Sequence, residues 1–273
     1  MTITDRPDAP TRLYFLSQDV IRRAQGISWL VNRFVSAAYV GLFLGFLDTP
    51  RALNMVTGNF YARHGTRWTD GEFNQVGFGP WEREALERYF GAAKSFIVAA
   101  AGGGREVLAL AARGLRVSAF ECAPKFLEYG QAALAAAGVN ARLVAAEPDE
   151  VPDLGIHDAA IVGWGAYMHI PGAQSRVRFL QRLRAQLVPG APILVSCEMR
   201  KPGAPRARVV ATIANAFRFV RGKKAVEVGD QLDGWFCHVF TEDELRDEFE
   251  QAGFRLEFCS AKGYGHAVGF AKA

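Results

Sequence analysis

Four cysteines and five histidines in 273 residues leave little material for a disulfide framework or a metal centre. Cys122, Cys197, Cys237 and Cys259 are scattered without a C-x-x-C pair, which suits reduced thiols in a cytoplasmic protein. The histidines show no metal-ligand spacing, so no metal is expected. Charge of one sign is also scarce. A formal net charge of +4, without a basic stripe or an aromatic-basic module, argues against a nucleic-acid partner. Two short basic clusters, "MRKPGAPRAR" (199–208) and "RFVRGKK" (218–224), read as a solvated loop and helix ends, with an anion or membrane-surface contact as the alternative. No hydrophobic run is long enough to cross a bilayer. The stretch "FVSAAYVGLFLGFL" (34–47) would reach about 21 Å as a helix, against a hydrocarbon core of about 30 Å. It reads as a buried or partner-covered helix, and leaves open a peripheral membrane contact or a homodimer interface. "MTITDRPDAPTR" lacks both the basic start joined to an apolar core and the cleavage site of a signal peptide.

What is present is half apolar and about a fifth charged, the profile of a packed chain. Residues 1–92 are helical in pattern and rich in aromatics, with helices expected over 19–47, "TPRALNMVTGNFYARHG" and "WEREALERYF". Pro80 stands at the start of the last, where its missing N–H costs nothing. Residues 93–197 alternate strand and helix. The strands read "SFIVAAA" (95–101), "RVSAFE" (116–121), "ARLVAAE" (141–147), "DAAIVGW" (158–164) and "PILVSCE" (192–198). Between them, two helical stretches stop at Gly114 and Gly138 and a third runs into Pro189-Gly190, as C-terminal caps do. Near-continuous apolar strands joined by helices predict a parallel sheet covered on both faces. A polar insertion over 199–236 follows, with a helix around "RVVATIANAFRFV", then a helix in "TEDELRDEFEQAGF" and a closing β-hairpin around "KGYGH". The fold class is α/β, a parallel sheet finished by a C-terminal hairpin. Two parts are expected: a helical lid over 1–92 and a core over 93–273 carrying the insertion.

The chemistry points to "AAAGGGREV". A strand that ends in a glycine turn and feeds a helix brings backbone N–H groups to a ligand, and glycine allows the close approach. Glu121 ends the next strand, beside that loop in an open α/β sheet, where a carboxylate suits a ribose diol. Together they predict an adenosine-bearing cofactor. The spacing is not the dinucleotide G-x-G-x-x-G: starting at Gly102 puts Val107 at the third glycine, and starting at Ala100 puts Arg105 there.

Residues 93–273 resemble a class I S-adenosylmethionine-dependent methyltransferase. The segments that carry the likeness are "GGGREVLALA…GLRVSAFE", "DAAIVGWGAYMHI", "LRAQLVPGAPILVS" and "HVFTEDELRDEFEQAGF". The resemblance implies a Rossmann-like seven-stranded, mostly parallel sheet with an antiparallel C-terminal hairpin strand, and that Ala100, Ala101, Gly102, Gly103 and Gly104 form the cofactor loop. It implies that Glu121, with Cys122 following, holds the ribose hydroxyls. It puts Glu147, or its competitor Asp149, near the adenine amino group, and Gly163 and Trp164 along the methionine side. Two positions depart from the family pattern. Ala100 replaces the first glycine, and Val98 or Ala99 stands where many members carry the acid that anchors the cofactor ammonium, a job Glu82 is a candidate to take over.

Methyl transfer needs mainly alignment, sometimes with a base. "GWGAYMHI" after the fourth strand supplies Tyr167 to orient a substrate and His169 as a base, and His238 in "WFCHVF" is the other candidate base. Tyr61, Asn74, Phe78, Trp81 and Glu82 are the expected substrate-pocket residues, aromatic walls with a few polar groups suiting a small organic acceptor. The expected activity is methylation of a small molecule, at oxygen by preference and at nitrogen otherwise, in the cytoplasm or at its membrane periphery. A nicotinamide-dependent oxidoreductase and a non-catalytic, cofactor-binding or membrane-associated member of the fold are the alternatives.

Overall fold

In a computed structural model that describes residues 8–23 and 29–273, the alternation of apolar runs and helical stretches becomes one ordered set of elements. In chain order these are α1 (Ala9–Arg23), α2 (Trp29–Phe46), α3 (Pro50–His64), α4 (Gly71–Gln75), α5 (Pro80–Tyr89), β1 (Ser95–Ala99), α6 (Arg105–Ala111), β2 (Arg116–Glu121) and α7 (Pro124–Ala136). They continue with β3 (Arg142–Ala145), β4 (Ala159–Val162), α8 (Ala173–Arg184), β5 (Pro192–Ser196), α9 (Pro205–Val220), β6 (Asp230–Leu232), β7 (Phe236–His238), α10 (Glu242–Gln251), β8 (Phe254–Ser260) and β9 (His266–Ala271). Part of the predicted 19–47 helical region, residues 24–28, lies outside the described residues, as do the first seven residues, on which much of the signal-peptide reading rests.

The seven-stranded sheet runs β3-β2-β1-β4-β5-β9-β8. The first five strands are parallel, and β9 is antiparallel to both β5 and β8. Every residue of β1, β4 and β5 is buried, as a sheet covered on both faces demands. Two helices stop where the sequence placed the stops, α6 and α7 ending just before Gly114 and Gly138 at positive φ of 73° and 65°, whereas α8 ends at Arg184 and does not run on to Pro189-Gly190. Strand order reverses beside β1, since β1 is hydrogen-bonded to β2 on one side and to β4 on the other. That reversal opens the crevice in which doubly wound folds bind ligands.

The chain divides into two compact units. One holds residues 1–60, 168–172 and 200–241, and the other holds 61–167, 173–199 and 242–273. The sequence boundary at residue 92 therefore moves. Residues 61–92 cluster with the sheet, because Phe78, Leu86 and Phe90 bury their side chains in the same core as Phe96, Val98 and Val107.

The other unit gathers α1, α2, α3 and the insertion around its own core of Tyr14, Phe43, Leu44, Val56, Val210, Ala214 and Phe236. Much of the apolar run 34–47 is buried inside it, while Phe34, Val35 and Phe46 stay exposed. A Cβ on Gly41 would come within 2.8 Å of the Val210 carbonyl, and one on Gly45 within 2.8 Å of the Phe217 Cβ. Two glycines one turn apart thus let the α2 and α9 backbones approach closely, and α9 covers the apolar face. Buried Arg218 then donates from Nε to the Leu44 carbonyl and from Nη2 to the Leu47 carbonyl, both at 2.9 Å. These are carbonyls at the end of α2 that the helix itself cannot satisfy. The short hairpin β6–β7 was not visible as strands in the polar insertion. Among the described residues, no helix is long and apolar enough to cross a membrane.

Candidate functional site

The turn after β1 is the place to start, because its backbone is unusual. Ala100, Gly102 and Gly104 all adopt positive φ, at 54°, 56° and 94°. Alanine has replaced the first expected glycine without changing the conformation there, a strain of about 1–2 kcal/mol for a side chain in the left-handed region. The turn keeps its shape through its neighbours. The Gly163 N–H donates to the Ala99 carbonyl at 2.7 Å, and the Ala101 N–H to the Phe120 carbonyl at 3.0 Å. A Cβ on Gly163 would stand 2.2 Å from the Ala100 carbonyl oxygen, so the turns after β1 and β4 touch only because residue 163 has no side chain.

Glu121 closes the other side. It is buried at the C-terminal end of β2. One carboxylate oxygen accepts the Gly102 N–H at 2.7 Å, and the other accepts the N–H groups of Cys122 and Ala123, both at 2.8 Å. Burial pushes its carboxyl above the usual range, against the pull of those three donors. A carboxylate has about four lone-pair sites, so three backbone donors hold it in place and leave capacity for a hydroxyl. The chemistry of this donor set, a fixed acid beside a glycine turn of positive φ, fits a ribose-bearing ligand. Glu147 follows β3 and is exposed, on the strand next to Glu121, where the Ala146 N–H meets the Glu121 carbonyl at 3.1 Å.

Gly103 turns out to serve a different purpose. A Cβ there would lie 1.9 Å from the Trp68 carbonyl oxygen and 2.7 Å from the Asn74 amide nitrogen. This glycine is needed by the chain's own segment 65–75, which rests on the turn. Asn74 fixes that segment by donating to the Trp68 and Asp70 carbonyls at 3.0 and 2.8 Å, and Gly65 meets Phe126 at the start of α7. The Trp68 ring lies over Gly102, 3.8 Å from where its Cβ would be. Trp68 was not among the sequence candidates, and only its contact with the turn identifies it. It belongs to an aromatic cluster with Phe73 and Trp164, ring centroids 5.2 and 6.1 Å away, and Trp164 in turn meets Tyr264 at 5.6 Å.

Among the candidates from the sequence, Asn74 stands at the turn and the others of the substrate group do not. Phe78 is a core residue. Trp81 packs on the closing hairpin, 4.9 Å from the His266 ring, and Tyr61 meets Phe126 edge-on at 6.0 Å. Glu82 is buried, and its role needs correcting. Arg105 donates to its two oxygens at 2.7 and 2.6 Å, and the Gly79 N–H reaches one of them at 2.5 Å. Arg105 also bonds Glu106 at 2.5 Å and the Gly77 carbonyl at 2.7 Å. The two carboxylates outweigh burial and raise the arginine pKa further, while burial raises that of Glu106. Glu82 is therefore consumed by a buried ion pair that ties α5 to α6, and has no open face for a ligand ammonium.

The catalytic candidates also separate. Tyr167 is fully buried, and its hydroxyl donates to Glu248 at 2.6 Å. Glu248 is gripped in turn by Arg176, from Nε at 2.9 Å and from Nη2 at 2.6 Å. A phenol locked between α8 and α10 is placed to hold the turn after β4, and a substrate-orienting role does not fit it. His169 pairs its Nδ1 with the Phe236 carbonyl at 2.7 Å, and burial lowers its pKa to about 4. That is a weak base at neutral pH. His238 is buried with Nδ1 2.8 Å from the Asp230 carboxylate and 3.6 Å from Glu227. Among the described residues these three bring their donor atoms within 4.8 Å of one another, and the Asp230–His238 bond is an acid-histidine pair of the kind that fixes a tautomer.

No protein-family model matches the chain, and no curated protein matches its sequence. Solved structures do match. A 1,6-didemethyltoxoflavin-N1-methyltransferase from Burkholderia thailandensis, solved with S-adenosylhomocysteine, aligns at TM-score 0.58 and 18% identity over 82% of this chain and 91% of its own. An S-adenosylmethionine-bound amino pentose methyltransferase from Micromonospora echinaspora, involved in calicheamicin biosynthesis, gives 0.52 and 15%, over 74% and 95%. An S-adenosylmethionine-dependent methyltransferase from Methanosarcina mazei gives 0.53 and 16%, over 72% and 99%. The chain has the class I methyltransferase fold. Within that fold, the turn after β1, Glu121 and the turn after β4 lie at the C-terminal ends of β1, β2 and β4, around the reversal of strand order. Of the departures, Ala100 lies in the turn after β1 at positive φ, and Val98 and Ala99, at the end of β1, are both fully buried.

Proposed function

We propose that the protein is an S-adenosylmethionine-dependent methyltransferase acting on a hydroxyl or amine of a small molecule. The observation that carries the reading is Glu121, held at the end of β2 by the Gly102 N–H and two further backbone donors, beside a turn that keeps positive φ even at Ala100. The cofactor, when bound, supplies a methyl group on a sulfonium, an already activated leaving group. In this reading Glu121 accepts from the ribose hydroxyls and Glu147 serves the adenine amino group. Gly163 and Trp164 border the methionine side. What remains for the chain is to align the acceptor and exclude water.

The solved neighbours support a small acceptor, since their names specify a toxoflavin precursor and an amino pentose. An amine attacks from its neutral form and needs no obligatory base. A hydroxyl needs its proton removed, a task for which His169, its pKa lowered by burial to about 4, is a weak base. Calorimetric titration of the full chain with S-adenosylhomocysteine, NAD(H) and NADP(H) tests the reading. Micromolar binding of S-adenosylhomocysteine that Glu121→Ala weakens by about 10–100-fold is expected, in line with loss of a charge-assisted hydrogen bond. Absence of binding at high micromolar ligand, or an unchanged Glu121→Ala variant, refutes it.

A further inference from the structure

Arg67 stands out among the cations of the sheet-bearing unit. Its guanidinium lies 4.4 Å from the centroid of Phe73 and 4.9 Å from that of Trp164. Those two rings are within 20° of parallel, with centroids 6.1 Å apart. Arg105 lies 5.7 and 5.4 Å from the same rings, but its donors are engaged by Glu82, Glu106 and the Gly77 carbonyl. Arg67 has no carboxylate partner among the described residues and is exposed. Its chain neighbour Trp68 rests on Gly102, and Trp164 follows Gly163, which is bonded to Ala99. The guanidinium thus lies against two aromatic rings beside the turns after β1 and β4.

We infer that Arg67 anchors the α-carboxylate of the cofactor's methionine end. This rests on the methyltransferase reading above and deepens it. The amino-acid end of the cofactor carries one cationic and one anionic group. The acid that the resemblance implies for the cation is replaced by Val98 or Ala99, both buried, and Glu82 is consumed by Arg105, so none of them offers an anion at this turn. An arginine offers a planar fork of donors that matches a carboxylate two-to-two. Contact with Phe73 and Trp164 restricts that fork, which reduces the freedom lost when a ligand binds. Recognition at this end accordingly shifts from the ammonium to the carboxylate.

Three ligands separate the possibilities when titrated calorimetrically into the full chain: S-adenosylhomocysteine, its decarboxylated analogue, which keeps the ammonium, and 5′-methylthioadenosine, which lacks both groups. The wild-type protein is expected to prefer S-adenosylhomocysteine over the decarboxylated analogue by about 10–100-fold, the range for one charge-assisted pair. Arg67→Ala should erase that preference while leaving the two carboxylate-free ligands unchanged, and Arg67→Lys should restore part of it. Equal binding of S-adenosylhomocysteine by wild type and Arg67→Ala overturns the proposal. So does an equal loss for all three ligands, which would make Arg67 a support for the Phe73–Trp164 rings only. Wild-type binding of all three without a carboxylate preference refutes Arg67 alone, whereas binding of none refutes the cofactor reading with it.

Discussion

Replacing Tyr167 by phenylalanine removes one oxygen from a site with no solvent, and the cost follows from what that oxygen holds. The hydroxyl donates at 2.6 Å to a Glu248 oxygen that Arg176 also approaches, Nε at 3.1 Å. Both ionic side chains are nearly inaccessible, at 1% and 5%. Phenylalanine leaves no orphaned donor of its own, and Arg176 continues to satisfy the carboxylate. The loss is therefore one hydrogen bond to a charged group, about 2 kcal/mol, or a fall in Tm of roughly 4–8 °C for a domain of this size. Glu248→Ala makes the contrast: it strands a buried guanidinium, and about 3–5 kcal/mol is expected. Burial and the Glu248 charge hold the phenol well above its ordinary pKa, so no tyrosinate forms near neutral pH for a reaction to use. Calorimetric unfolding, with S-adenosylhomocysteine titration of the folded variant, checks both halves: Tm should drop and ligand affinity should not. A Tyr167→Phe protein that melts within about 1 °C of wild type but loses methyl transfer would refute the structural role and restore the catalytic one.

Two other outcomes are expected. Ala100→Gly relieves a left-handed alanine, about 1–2 kcal/mol, against about 0.4–1 kcal/mol of added unfolded-state entropy. The net gain of about 0.5–1 kcal/mol should appear as a small rise in Tm, and a fall would show that the alanine methyl packs favourably. His169 is kept neutral by burial, with its pKa at about 4 against about 6.5 in an unfolded chain. The unfolded state then binds the proton first, so the stability this ring contributes is complete above about pH 6.5 and is lost as pH falls toward 4. The full difference of about 2.5 units is tempered by the partly accessible ring, leaving roughly 2 kcal/mol. Urea unfolding across that window should show a shallower slope in His169→Gln, and an identical slope would exclude the histidine as its source.

The class of fold was legible because its signals are local. Buried parallel strands must be apolar along their whole length, helices between them must stop, and glycine at positive φ stops them. Residues 95–99, 116–121, 159–162 and 192–196 carry those requirements on their face. Glu121 was legible for the same reason, since one strand end beside one glycine turn fixes its place. The candidate pocket residues of 61–92 were harder. Phe78 and Trp81 have the composition of a pocket wall, but an aromatic ring packs a core equally well. Only contacts made far along the chain assign Phe78 to the core beside Val107 and Trp81 to the closing hairpin.

The sequence alone therefore determined the strands of the main sheet and the helices between them, though not the β6–β7 hairpin, together with turns such as those at Gly114 and Gly138 and the carboxylate at the end of β2, because these signals are read along the chain. Tertiary structure decided which polar side chains are open to a ligand. Glu82 and Tyr167 are absorbed by Arg105 and Glu248, 23 and 81 residues away, while Arg67 lies against Phe73 and Trp164 with no carboxylate partner among the described residues. A charge is available or spent according to the groups that meet it in space, and for these residues the decisive groups come from other elements of the fold.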